Sequence, residues 1–172
     1  MLGVIEKFWE SLSGDVQSYI ISISAGLTTD VLKKITFKSN SNDHLFFGYS
    51  SATLWLKWTV INKSSKLFYL EIPHPNLDSI HCYRIVNNKI EVIKTGDYYP
   101  FQTREIDHQH FIFTIPVTKD KIIYYFKIKT SGYLTTKPII VSDKKLQKNN
   151  IVENAIVWSF FSIMIILALY NL

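Results

Sequence analysis

From residue 36 onward, apolar and polar positions alternate with a period of two. Leu54, Leu56, Trp58 and Val60 alternate with Trp55, Lys57 and Thr59. Ile80, Cys82 and Arg84 alternate with His81, Tyr83 and Ile85, and Phe111, Phe113 and Ile115 with Ile112 and Thr114. Ile122, Tyr124, Phe126 and Ile128 alternate with Tyr125, Lys127 and Lys129. Successive side chains of a strand point to opposite faces, so this alternation predicts strands with one buried face. Leu56, Trp58, Ile80, Phe113, Tyr124 and Phe126 are the expected core. Further strand-like runs span 44–48, 66–72, 89–95 and 134–141. Turn-forming clusters separate the runs: Ser39-Asn40-Ser41-Asn42, Asn62-Lys63-Ser64-Ser65, Pro73-His74-Pro75-Asn76, Asn87-Asn88, Thr118-Lys119-Asp120 and Ser131-Gly132. Roughly eight short strands at this spacing predict a mainly β chain, a jelly-roll-like antiparallel β-sandwich over residues 36–142.

The two ends break the pattern. In residues 1–35, Ile5, Trp9, Leu12, Val16, Tyr19, Ile20 and Ile23 lie close to helical spacing, interrupted at Ser13-Gly14-Asp15. This predicts a short N-terminal amphipathic helix. Residues 16–24 read equally as helix or strand, and 27–35 suit one more helical turn. At the other end, a polar linker at 143–152 precedes Ala155 to Tyr170, AIVWSFFSIMIILALY, which carries no charge. A spanning helix needs about 20 mostly apolar residues. This run is apolar on all faces and has Trp158 and Tyr170 near its ends, as interfacial belts do. It predicts a transmembrane helix over 153–172, cut short by the chain end, rather than a core helix.

Composition agrees with strands. Apolar residues make up 47% and aromatics 15%, with Ile, Tyr and Phe prominent. At 172 residues the chain is long enough to bury a core without metal or disulfide staples. The formal charge of +5 comes from lysines spread along strands, which reads as a solvated face. Nucleic-acid binding needs a basic stripe with stacking aromatics or a known module, and neither is legible. The single cysteine, Cys82, permits no intrachain disulfide and reads as a small buried hydrophobe. Residues 1–15 carry Glu6, Glu10 and Asp15 where a signal peptide has its apolar stretch. Export therefore requires another signal or a start further upstream.

No catalytic constellation stands out, and the chain is not expected to be an enzyme. There is no phosphate loop and no zinc-type spacing, and no cofactor is implied. His108 and His110 share one strand face, yet without a carboxylate or cysteine cluster they do not predict a metal site. Asp97, Glu105 and Asp107 lie in a turn-rich stretch, where acidic residues shape loops or pair with lysine. The chain has only two arginines, Arg84 and Arg104, against seventeen lysines. An arginine among so many lysines points to a need for its planar fork. For both, a structural role competes with ligand contact. Tyr98, Tyr99 and Phe101 form an aromatic loop beside Arg104. Flat aromatics stack on sugar faces while polar groups fix hydroxyls; some also cap a sandwich. Tyr83 precedes Arg84, and Trp55 and Trp58 lie on opposite faces of one strand. Arg104, Tyr98, Tyr99, Arg84, Tyr83 and Trp55 are the candidate ligand-binding residues.

From Phe46 to Leu172 the sequence resembles one bacterial family, the seven-transmembrane receptors with diverse intracellular signalling modules. The resemblance is to their second type of extracellular domain and the start of their first membrane helix. It rests on five stretches in order: FGYSSATLWLKWTVIN (47–62), YLEIPHPNLDSIHCYRI (69–85), TGDYYPFQTREIDHQHFIF (95–113), YYFKIKTSGYLTTKPIIVSD (124–143) and ALYNL (168–172). It implies a jelly-roll sandwich similar to carbohydrate-binding modules, a ligand-sensing role outside the cytoplasmic membrane, and output through further helices and a cytoplasmic module. Within TGDYYPFQTRE, Arg104 matches the family's arginine. Lys127 stands where the family usually has arginine, which makes that position a weaker site candidate. Lys144, Lys145 and Lys148 precede the apolar run, and positive flanks favour the cytoplasm. That bias compares two flanks and only one is present, so the extracytoplasmic placement is kept.

The leading expectation is a sensor of a small polar ligand, with carbohydrate as the first candidate. The alternative is a structural or interaction sandwich of a membrane-anchored envelope protein, which pairs with another copy as a homodimer or with a different envelope protein.

Overall fold

The computed structural model describes residues 12–21, 38–39, 45–49, 53–136 and 138–171. Their strands follow in chain order as β1 (Leu12–Ile21), β2 (Lys38–Ser39), β3 (Leu45–Tyr49), β4 (Thr53–Asn62), β5 (Phe68–Ile72) and β6 (Ser79–Val86). Then come β7 (Lys89–Thr95), β8 (Phe111–Ile115), β9 (Thr118–Lys129), β10 (Tyr133–Thr136) and β11 (Ile139–Ser142), and a helix α1 (Asp143–Tyr170). All pairings are antiparallel. A six-stranded sheet has the order β2-β1-β4-β9-β6-β7, a three-stranded sheet β11-β5-β8, and a two-stranded ribbon β10-β3. The fold is an antiparallel β-sandwich with one C-terminal apolar helix.

The alternation decides which side chains meet between the sheets. Leu54, Leu56, Trp58 and Val60 of β4, Ile80 and Cys82 of β6, and Ile122, Tyr124, Phe126 and Ile128 of β9 form one inner face. Phe68, Leu70 and Ile72 of β5 and Phe111, Phe113 and Ile115 of β8 form the other. Each such side chain contributes roughly 1.5–3 kcal/mol by leaving water. Phe113 and Phe126 meet edge to face across the two sheets at 5.0 Å. All six residues expected in the core are buried.

Local chemistry closes the turns. Asn87 and Asn88 both adopt positive φ, 50° and 61°, the conformation a tight two-residue hairpin needs, and join β6 to β7. Asn62 is buried and donates to the carbonyls of Lys66 and Pro116, while its own oxygen accepts from Ser64. One amide thus ties together the β4–β5 and β8–β9 turns. The latter turn lies at Pro116–Val117, so Thr118-Lys119-Asp120 is the start of β9 and not a turn. The Thr118 hydroxyl accepts the Asp120 N–H at that strand start.

Two expected boundaries are corrected. Residues 12–21 form a strand whose whole length pairs with β4, from Leu12 opposite Asn62 to Ile21 opposite Thr53, so the sheet starts upstream of residue 36. Pairing with β4 outweighs the helical spacing of its apolar residues. The short N-terminal helix and the turn at 27–35 lie outside the described residues. At the other end, 143–152 is helical and continuous with the apolar run. Gln147 bonds Asp143 and Asn154 bonds Asn150, each one turn back. Strand β11 therefore runs straight into α1.

Among the described residues, helix α1 meets the sandwich through its N-terminal part. Leu146 packs on Tyr69, Ile112 and Val141, on the outer face of the three-stranded sheet. Its apolar window has a mean hydropathy of 2.0 and none of it is buried against the rest of the chain. Ser159 and Ser162 donate to the carbonyls of Ala155 and Trp158, so their hydroxyls are satisfied within the helix.

Candidate functional site

The turn after β7 is built on Gly96. Its φ is +140°, and a Cβ there would lie 2.4 Å from the Asp78 carbonyl oxygen. The turn is drawn back onto the start of β6 by Asp97 N–H donating to Leu77 at 2.8 Å and Tyr98 N–H to Asp78 at 3.1 Å. Tyr98 is consequently held out in solvent, 73% exposed. Tyr99 turns over the outer face of the six-stranded sheet, where its hydroxyl and His81 Nε2 share a hydrogen bond at 3.1 Å. The two rings meet edge on.

Sheet register sets what surrounds this pair. Trp55, Lys127, His81 and Lys94 are successive direct partners across β4, β9, β6 and β7. Lys57, Tyr125, Tyr83 and Val92 form the adjacent row. Tyr83 stacks on Trp55 at 6.2 Å, and the Lys127 ammonium lies over the Trp55 ring at 5.8 Å. Trp55, Tyr125 and Ile85 are buried in a second small cluster on this face, flanked by Tyr83 and Ile123. Burial, then the nearby ammonium groups of Lys127 and Lys94, hold His81 below the usual imidazole range.

The two arginines lie elsewhere. Arg84 points inward opposite Glu91. Its Nε and Nη2 donate to Glu91 at 3.0 and 2.7 Å, and its Nη1 donates to Glu105 at 2.9 Å and to the Thr114 carbonyl at 2.8 Å. The paired carboxylates outweigh desolvation and push its proton affinity up. Arg104 donates from Nη1 to the carbonyls of His108 and Gln109, at 2.5 and 2.6 Å. Its guanidinium sits between the rings of Phe101 and Phe111, 4.7 and 4.5 Å away. Both guanidinium groups are engaged by groups of the fold. Among the described residues no hydrogen bond or ring contact joins Arg104 to Tyr98 or Tyr99.

The loop that Arg104 closes carries a polar cluster against the three-stranded sheet. Glu71 accepts from His110 Nδ1 at 2.7 Å, and His108 Nδ1 accepts the His110 N–H. Burial and the neighbouring His110 are the leading causes that hold His108 below its usual range. Gln109 donates to Glu153 of α1, so this loop touches the helix. Among the described residues no three such groups converge as a metal site. A shallow depression at the β6–β7 hairpin is lined by Arg84, Val86, Asn87, Lys89, Ile90 and Glu91, where the arginine and the glutamate already satisfy each other.

Of the residues singled out from the sequence, Tyr98 and Tyr99 share a turn, and Tyr83 and Trp55 share the face below it. Arg84 and Arg104 join neither group. His81 and Lys94 carry no signal of their own in the sequence, and Lys127 is there the weaker candidate. Each is one residue in one strand, and only the register across three strands sets them abreast.

No curated protein matches the chain. A family model described as 7TMR-DISM extracellular 2 matches residues 15–142. The match opens within β1 and closes at the last residue of β11, so it covers the sandwich and stops where the uncovered apolar helix begins. With most of its length matched in this way, the chain belongs to the 7TMR-DISM extracellular 2 family.

Proposed function

We propose that this chain is the ligand-sensing domain of a bacterial signalling receptor in the cytoplasmic membrane. The sandwich stands on the extracytoplasmic side and α1 enters the bilayer as the first membrane helix. Family membership supports the receptor role. The observation that carries it is the continuity of β11 with a helix whose apolar surface is left uncovered among the described residues. A sandwich joined to a bilayer by a helix, with no flexible link, suits transmission of a ligand-induced change.

The ligand is read as a small polar molecule of carbohydrate type. In support, a half-buried tyrosine and a histidine meet over an aromatic-lined sheet face, with the exposed Tyr98 next in the same turn, as in a jelly-roll binding module. The test is a thermal-shift screen of sugars on the full chain in lipid nanodiscs. A ligand at a hundred times its Kd adds about 2.7 kcal/mol to native stability. Stabilisation by at least one sugar, lost in Tyr99→Ala, is the expected result. A screen in which no small polar molecule shifts the melt sinks the reading.

One observation favours the interaction reading as a second role. Strand β7 forms an edge of the six-stranded sheet, and Ile90 and Val92 on it are 42% and 47% exposed. An open edge with apolar side chains is a template for pairing with another chain, here a second copy. Cross-linking through cysteines placed at Lys89 tests it. Monomers at all protein densities in the membrane would remove it.

A further inference from the structure

The chemical class of the ligand follows from the charges around Tyr99. Lys127 on β9 and Lys94 on β7 each stand directly opposite His81 on β6, which sets the two ammonium groups on one face two strands apart. Like charges gathered on one face repel. A solvated strand face usually relieves that repulsion with interleaved carboxylates. Here the outward positions of β4 from Thr53 to Thr59, β9 from Ile123 to Lys129, β6 from Ser79 to Ile85 and β7 from Ile90 to Lys94 include no carboxylate. Among the described residues neither Lys94 nor Lys127 pairs with an acid. The acidic side chains nearby are engaged on other sides. Glu91 faces inward on Arg84, the charge of Asp97 acts on Arg104, and Asp78 accepts the Ser131 N–H.

Cations without counter-charges, held beside aromatic rings on a partly dehydrated surface, favour an anion that brings an apolar face of its own. We propose that the row Lys127–His81–Lys94, together with Tyr98 and Tyr99, binds an acidic saccharide of the uronic acid type. The carboxylate lies between the two ammonium groups, with His81 as a further hydrogen-bond partner. The C–H face of the sugar ring lies on the tyrosines. A phosphate fits less well, because neither arginine, the side chain that matches its geometry best, lies on this row: Arg84 is engaged by Glu91 and Glu105, and Arg104 donates to the carbonyls of His108 and Gln109. The inference rests on the ligand-sensing reading above and adds the sign of the ligand's charge.

The test uses the full chain in phosphatidylcholine nanodiscs, titrated by calorimetry with trigalacturonate and with its fully methyl-esterified form. The two share rings and hydroxyls and differ only in charge. The acid form is expected to bind about tenfold or more tightly than the ester, the scale of one charge-assisted hydrogen bond. Lys94→Gln and Lys127→Gln are each expected to weaken the acid form about tenfold and to narrow the gap between the two forms. Melting temperatures should change little, because among the described residues neither ammonium group pairs with an acid, and the Lys127 contact with the Trp55 ring is long, at 5.8 Å. Equal affinity for acid and ester overturns the charge assignment and leaves the sugar-sensing reading standing. Binding of neither form overturns the assignment as well. Competition by inorganic phosphate, or adsorption to phosphatidylglycerol nanodiscs that both lysine variants abolish, would move the anion to a phosphate or a lipid and overturn the saccharide.

Discussion

Arg84 on β6 and Tyr124 on β9 are direct cross-strand partners, and both donate to the same atom, the carbonyl oxygen of Thr114. The distances are 2.8 and 2.7 Å. Thr114 belongs to β8, an edge strand of the other sheet. Two strands of the six-stranded sheet therefore grip one exposed backbone group of the three-stranded sheet. The interaction ties the two sheets together at that edge. It also explains why the alternation of β6 admits an arginine at an inward position.

That geometry sets the cost of removing either donor. Tyr124→Phe removes one hydrogen bond and should cost about 1 kcal/mol. Arg84→Leu leaves Glu105 without its partner and should cost about 3 kcal/mol, toward the lower end for a broken buried pair because Glu91 is exposed. The double variant should cost less than the sum, since both donors serve one carbonyl. Urea unfolding of the three variants in detergent checks this. Strict additivity would mean that the shared carbonyl is not the link.

Gly96→Ala should damage the turn that presents the tyrosines. The added carbon meets the Asp78 carbonyl at 2.4 Å, and the positive φ strains any L residue. A loss of roughly 2 kcal/mol or more is expected. The Tyr99–His81 hydrogen bond should be lost with it, visible as a changed His81 titration by NMR. An unchanged melt would show that the turn adapts.

Stability should fall on mild acidification. Burial is the first cause that holds both His81 and His108 below the ordinary imidazole value of about 6.5. The unfolded chain takes up protons near that value while the folded chain resists. Each neutral imidazole therefore contributes stability that is complete above the ordinary value. It is lost as pH falls through that value and levels off below the lowered folded one. Melts between pH 7.5 and about 5 test this. His81→Gln combined with His108→Gln should flatten the slope, and an equally steep slope in that variant would exclude both histidines.

Arg104 and Tyr99 should separate cleanly. Arg104→Lys loses the fork that holds two loop carbonyls and the plane between Phe101 and Phe111. A destabilisation of about 1–2 kcal/mol is expected, with affinity per folded molecule kept. Tyr99→Phe loses the hydroxyl that bonds His81 and should cost no more than about 1 kcal/mol of stability while weakening sugar binding. The reverse pattern would return Arg104 to the recognition surface.

The side of the membrane is open to direct test. The lysines at 144, 145 and 148 favour the cytoplasm, and the family assignment favours the outside. Spheroplasts expressing the full chain should lose the sandwich to external protease. Full protection in intact spheroplasts, with cleavage after lysis, would place it inside.

The sequence by itself determined most of the strand runs, the inner-face residues and the apolar helix, while the single run at 134–141 is two strands, β10 and β11, in different sheets. Those features are periodic and local. A period-two run writes its buried face into neighbouring residues, and an uncharged run of sixteen needs no partner to be recognised. Only the tertiary structure decided three other things. Residues 12–21 are a strand because ten consecutive partners on β4 hold them, against a helix-like spacing. The scarcity of arginine singles out Arg84 and Arg104, yet only the folded chain shows what they bind: carbonyls four and five residues on for Arg104, and Glu91, Glu105 and the Thr114 carbonyl for Arg84. The row Lys127–His81–Lys94 exists only through register across three strands. Register is a relation between segments far apart in the chain, fixed when their hydrogen-bond ladders lock, and no single segment carries it.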